Sequence, residues 1–413
     1  MNRRAVVRLL GTLGATSLAV RTSSQRAGSS ASGSATDEAA IDEPATDEAA
    51  TDNSSTIQRG RRIVDQPADS SATPSEPPAV EAISEAIDAE TAETVRSIRL
   101  ATERLFERLR ESDLAVDDLS VSKRLESDQL KLFVEHSDEI DTDSWRSAIE
   151  AAREEIPAAV DERLLDRLDE LDIEINHRTR PVARPEYGCE STVGRFADAQ
   201  YRERGIAMGA AVRSETLGEI ASSGFRGLRE GHAVVVTTAH TFETDDSHEP
   251  SELRGAELYQ SRRPHVIGRC HAMGRDHGPG VDAAAVAVDA ESYPSRLLAE
   301  PGGDSYHDEP IVGTASWELL ETHLAEDRPI YKQGAVTGRC EGRIVELREY
   351  SGGYREVDVD IHSGGGDSGG PYFVETDDGL LVAAIHKGVR TDSGERRAIF
   401  VDSVCESLDI ELY

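Results

Sequence analysis

After Cys189 the chain breaks into short apolar runs separated by Gly, Asp and Ser: Gly205 to Val212, Ala233 to Thr238, Ala283 to Val288, Gly342 to Leu347, Val357 to Ile361, Leu380 to Ile385 and Ala398 to Val401. No other property of the sequence limits its fold so tightly. Runs this short, rich in Val, Ile and Ala, fit strands better than helices. Spaced regularly and without long helices between them, they predict a sandwich or a pair of barrels.

Among these runs lies Gly366-Asp367-Ser368-Gly369-Gly370-Pro371, a glycine-rich turn whose backbone N–H groups can face a substrate carbonyl beside a serine. A serine hydroxyl is a weak nucleophile at neutral pH. It needs a base, a third group that orients the base, and donors for the oxyanion that forms. His240 ends the apolar run from Ala233, and Asp282 opens the run that ends at Val288. The chain order His240, Asp282, Ser368 is that of the chymotrypsin-type triad, not of the subtilisin or α/β-hydrolase types. Gly366 and Ser368 are the expected oxyanion donors, since glycine at 366 suits a backbone conformation open to few other residues. Asp276 and Asp289 are the nearest rivals of Asp282. Asp367 is expected to hold the turn by pairing with a buried cation or amide.

Thr238-Ala239-His240 and the Gly366 to Pro371 run resemble the two signatures of trypsin- and chymotrypsin-like serine peptidases. Tyr331 to Gly338, followed by Gly342-Arg343-Ile344-Val345, resembles the prokaryotic streptogrisin-like and α-lytic-like branch, with Ala335-Val336 replacing part of its Lys-x-Gly-x-Thr-Thr-Gly stretch. Ile399 to Leu408 resembles the closing strand and short terminal helix of that family. The resemblance covers about Tyr187 to Tyr413. It implies a mainly β, chymotrypsin-like double β-barrel with six strands in each barrel, His240 and Asp282 coming from the first and Ser368 from the second. It also implies a serine endopeptidase acting on protein or peptide substrates through an acyl-enzyme. The specificity pocket is then lined by His362, six residues before the nucleophile, and by the strand with His386, Lys387 and Gly388. His386 matches a pocket histidine of glutamate-specific relatives, and with Lys387 it would favour an acidic side chain. Alternatively, His386 is a satisfied core residue and Lys387 points to solvent.

Across 413 residues, 45 Lys and Arg stand against 79 Asp and Glu, a net charge of -34, which excludes nucleic acid as a partner. The only lysines are Lys123, Lys131, Lys332 and Lys387, and the acids are spread along the whole chain, a composition that resembles halophilic proteomes. Carboxylates at this density stay soluble in concentrated salt, which screens their repulsion. With no Asp-x-Asp-x-Asp-Gly loop, His-Glu-x-x-His or Cys-x-x-Cys, neither a metal nor a cofactor is expected. Cys189, Cys270, Cys340 and Cys405 allow three pairings.

Residues 1–27 carry Arg3-Arg4 and an apolar stretch from Leu9 to Val20, which resembles a twin-arginine export signal and is too short for a stable membrane span. Export is therefore expected, with a cytoplasmic location as the alternative. Residues 28–78 are a solvated, disordered acidic linker of Ala, Ser, Thr, Asp and Glu. Residues 79–176 read as helical: Val95, Ile98, Thr102, Leu105 and Leu109 share one face, a second stretch runs through Leu119, Leu125, Leu130 and Phe133, and a third begins near Trp145. That α-helical N-terminal region is expected to be a propeptide contacting the catalytic domain, 187–413, in cis. Arg178, Arg180 and Arg184, with Pro181 and Pro185, form the joint. The alternative is a catalytically weak, peptidase-like binding or scaffolding module.

Overall fold

Each of the apolar runs becomes strand in the protein's structure, a computed structural model that describes residues 5–10, 54–64, 78–111, 120–126, 129–136, 170–172, 206–214, 220–242, 253–260, 266–274, 281–289, 294–299, 306–389 and 394–412. The first run splits into Ile206–Met208 and Ala211–Ser214. Gly209 turns between them at φ +76°, so close to Gln333 that a Cβ would meet its Cγ at 2.2 Å.

The described residues form a chymotrypsin-like double β-barrel. In the second barrel, Pro329–Gly334, Gly338–Tyr350, Arg355–Asp360, Arg396–Phe400, Gly379–Val389 and Pro371–Thr376 pair in that order, and the last returns to the first, closing six strands. Leu347, Val357, Tyr372, Phe373, Leu381, Ile385 and Ile399 fill it and are fully buried, each worth about 1.5–3 kcal/mol in transfer out of water. The first barrel is more open, an eight-stranded sheet. At its centre His232–Thr237 pairs with Arg226–Arg229 on one side and Ala284–Val288 on the other, over a core of Val212, Val235, Phe242, Leu258, Ile267 and Val286. The terminal helix Val401–Leu408 ends at Asp409 and delivers Glu411–Leu412 to the edge of the first barrel. The expected closing strand and terminal helix are therefore present. Cys340 is disulfide-bonded, whereas Cys270 and Cys405 carry free thiols.

The N-terminal region is less helical than its sequence suggests. One helix, Ala89–Glu111, buries Val95, Ile98 and Thr102 of the expected face, together with Ala92 and Phe106; the side chains of Leu105 and Leu109 lie outside those described. The second stretch is instead a hairpin of Ser120–Glu126 and Gln129–His136. Leu130, Leu132 and Val134 alternate with Lys131, Phe133 and Glu135, a period of two. In addition, the long Gly338–Tyr350 strand offers an edge on which Ser120–Arg124 pairs. Ser54–Ile63, within the expected linker, is also a strand; it pairs with Val80–Asp88 and adds to Tyr306–Ala315. Here a sheet edge supplies the order that the local sequence lacks. Ala5–Leu10, in the signal-like segment, pairs with Gln129–His136. At the far end of the stretch from Trp145, Glu170–Asp172 is strand rather than helix and pairs with Ala5–Leu10; the rest of that stretch, the rest of the signal-like segment, most of the linker, the Arg178 to Pro185 joint and Cys189 lie outside the described residues. Among the described residues no helix is long and apolar enough to cross a membrane.

Candidate active site

The strand His232–Thr237 leads into one turn of 3-10 helix, Ala239–Thr241, which leaves the His240 side chain 36 % exposed. Thr237 lies opposite Ala284 in the neighbouring strand, so Asp282 arrives beside His240. Asp282 Oδ1 accepts the His240 backbone N–H at 3.0 Å, and Oδ2 lies 2.7 Å from Nδ1. This two-point hold fixes the ring plane and places the proton on Nδ1, leaving Nε2 as the basic nitrogen. Burial acts to raise the Asp282 pKa, but the hydrogen bonds and charge of His240, with the charge of Lys387, outweigh it and hold the carboxyl below its usual range. Asp289 is exposed beyond the other end of the same strand, and Asp276 lies outside the described residues.

Ser368 is half-buried in a turn built around Asp367. The Asp367 carboxylate is fully buried and accepts from Lys332 Nζ at 2.5 Å, Thr337 Oγ1 at 2.7 Å, and the backbone N–H groups of Gly364, Val336 and Thr337 at 2.9, 3.0 and 3.1 Å. Against the cost of burial, Lys332 and these donors lower its pKa to about 2. Gly366 sits at φ +107°, where a Cβ would meet the Val336 Cγ2 at 2.6 Å. Among the described residues, the Gly366 and Ser368 N–H groups donate to no protein acceptor.

Ser222 ties the turn to the first barrel. Its N–H donates to the Ser368 carbonyl at 2.7 Å and its hydroxyl to the Gly366 carbonyl at 2.9 Å, while the hydroxyl accepts from the Ala335 N–H at 2.9 Å. Gly369, at φ +88°, packs so tightly on Thr237 that a Cβ would lie 2.4 Å from its Oγ1. Gly369, next to Ser368, thus packs on the end of the strand that leads into His240. The Ser368 hydroxyl makes no hydrogen bond among the described residues.

The strand behind the turn carries the expected pocket residues. The Gly369 N–H donates to the His386 carbonyl, and the His386 N–H to the Gly370 carbonyl, both at 2.8 Å. His386 is buried with Nδ1 3.0 Å from Tyr372 Oη, and its burial and neighbouring Lys332 push its pKa well down, leaving the ring neutral. Lys387 Nζ is bound to Glu356 Oε1 at 2.8 Å. Gly388 has open space where a Cβ would be, and His362 is exposed. Sequence reasoning missed Ser222, which lies in a run of small residues with no chemical signature. Lys332 gave a signal, being one of four lysines and following Ile330 and Tyr331 in a short strand.

No family model matches the chain, and no curated protein matches it. Among solved structures, it is similar to a glutamic acid specific serine protease described as using a histidine triad in substrate binding, at 20 % identity over 50 % of this chain and 100 % of that one, with a TM-score of 0.37. It is also similar to Thermobifida fusca Protease A, at 16 % identity over 50 % and 98 % of the chains and a TM-score of 0.36. The Rv3671c protease of M. tuberculosis, in its active form, is similar at 14 % identity over 57 % and 94 %, with a TM-score of 0.29.

Proposed function

We propose that this chain is a serine endopeptidase that cleaves protein or peptide substrates through an acyl-enzyme. The observation that carries this reading is the His240–Asp282 pair, held at 2.7 and 3.0 Å, with Gly369 of the Ser368 turn packed on Thr237 at the end of the strand that leads into His240. In the reaction, Ser368 Oγ attacks the scissile carbonyl while His240 Nε2 takes its proton. Asp282 holds the Nδ1–H tautomer and stabilises the imidazolium. The oxyanion is received by the Gly366 and Ser368 N–H groups, and His240 then protonates the leaving amine. Water repeats the sequence in reverse to release the acid. The peptidase role gives the Ser368 hydroxyl and the Gly366 and Ser368 N–H groups a task that a silent binding module does not.

For side-chain preference, the proposal departs from the acidic pocket expected from sequence. Lys387 is neutralised by Glu356 and His386 is neutral, so the pocket wall brings no free cation and we assign it uncharged side chains. The test is hydrolysis of a fluorogenic peptide library by the full chain in multimolar KCl. Cleavage after uncharged residues is expected, with Ser368→Ala slower by roughly a million-fold. Full turnover by Ser368→Ala would remove the serine mechanism, and cleavage confined to Glu or Asp would restore the acidic pocket.

A further inference from the structure

The N-terminal residues expected to form a propeptide are bound into the second barrel by its own structural elements. Two barrel-side strands take up N-terminal partners: Gly313 to Ala315 pair with Gly60 to Arg62, and Glu346 to Tyr350 with Ser120 to Arg124. Ile57, Ile83, Ile87, Ala92, Ile98, Phe106 and Val121 belong to the same apolar core as Trp317, Leu347 and Phe400.

Charge makes the attachment one-directional. Lys123 is fully buried between Glu321 and Glu349, with the Glu349 contact at 2.6 Å. Arg99 Nη2 meets Glu321 Oε2 at 2.8 Å, and Arg124 Nε meets Glu346 Oε2 at 2.6 Å. Glu321 and Glu346 are each 1 % exposed. Without residues 54–126, Glu346 would keep Arg348 and Glu349 would keep Arg355, but Glu321 would lose both Lys123 and Arg99, and an uncompensated buried charge is strongly destabilising. A segment that is shed would not supply counter-ions to the interior of what remains.

The Arg124 pair also leads toward the catalytic turn. Glu346 Oε1 meets Arg348 Nη2 at 2.5 Å, Arg348 Nη1 lies 3.8 Å from Glu356 Oε2, and Glu356 Oε1 holds Lys387 Nζ at 2.8 Å. Lys387 follows His386, whose backbone bonds Gly369 and Gly370. Arg348 and Glu356 are each 1 % exposed, so the ion pairs run through the protein interior with little solvent screening.

We propose that residues 54–126 stay in the working enzyme as a fixed part of its second barrel, and that Arg124 is a positioning residue acting through these ion pairs on the strand behind the Ser368 turn. The second half rests on the peptidase reading; the first does not.

The test uses the full chain in multimolar KCl. Size exclusion followed by denaturing mass mapping of the folded, active peak should find residues 54–126 at one copy per catalytic domain, whether or not the chain is nicked elsewhere. An active peak lacking them at undiminished specific activity would overturn retention. Arg124→Met should lower kcat about tenfold with KM unchanged, and Arg124→Lys should recover most of it. Equal kcat for wild type and Arg124→Met would overturn the positioning role. If Arg124→Met does not fold, Arg124→Met with Glu346→Gln removes both charges and should fold; it should still show the kcat loss, and wild-type kcat in that pair would equally overturn the role. If wild type cleaves nothing, the peptidase reading and the positioning role fail together, while mass mapping of the folded peak still decides retention.

Discussion

Asp367 shows how much one side chain can fix. Its five donors come from Gly364, Val336, Thr337 and Lys332, so it fixes the Ser368 turn to the Val336–Thr337 backbone. Asp367→Asn leaves Lys332, fully buried, without its counter-charge. The expected loss is about 3–5 kcal/mol of stability, read by urea denaturation, together with a loss of turnover. At the other carboxylate, Asp282→Asn should leave the fold intact and lower kcat roughly ten-thousand-fold through the wrong imidazole tautomer, while Asp289→Ala should keep wild-type rates. The residues of the proposed triad were legible because nucleophilic chemistry demands given residue types in a given chain order. Ser222 was not, because a hydroxyl reaching a carbonyl 144 residues away leaves no local pattern.

Strands and helices were legible where burial is two-sided. Ala233 to Val236 is apolar throughout because it lies at the centre of the first sheet, and the run alone announces it. Ser120–Glu126 and Ser54–Ile63 escaped notice because an edge provided by distant residues decides their state. Gly313 shows how close that edge is: a Cβ there would come within 1.8 Å of the Arg61 carbonyl oxygen. Gly313→Val should therefore push Ser54–Ile63 off the barrel, seen as faster amide hydrogen exchange across 54–63, with the closed six-strand barrel still protected. Unchanged exchange would mean that the two strands do not pair.

For the molecule as a whole, charge sets the operating conditions. A net charge of -34 repels itself unless salt screens it. Lowering KCl from multimolar to about 0.1 M, where the screening length grows to about 10 Å, should lower the melting midpoint; a salt-independent midpoint would contradict this. The pH dependence has two parts. His323 is buried with its pKa lowered by that burial to about 4, and burial likewise pushes His386 well down. Both stay neutral in the fold and take up protons on unfolding, so stability should fall as pH drops from about 6.5 toward 4. Asp367, Glu349 and Glu356 are held at about 2 despite burial, Asp367 chiefly by Lys332, Glu349 by Lys123 and Glu356 by Lys387. Their contribution is complete above the ordinary carboxylate range, shrinks as pH falls below it and is lost through about 2. Melting midpoints from pH 8 to 2 should show both declines, and His323→Gln should flatten the first.

The central claim is that Ser368 is a nucleophile activated by His240 and Asp282. An organophosphorus fluoridate reacts with an activated serine by losing fluoride, so labelling the full chain in high salt and mapping the adduct tests the claim directly. One phosphoryl group on the peptide that contains Ser368, absent from Ser368→Ala and strongly slowed in His240→Ala, is the predicted result. Peptide hydrolysis that continues with Ser368 unlabelled, or a label carried by another residue, would contradict it.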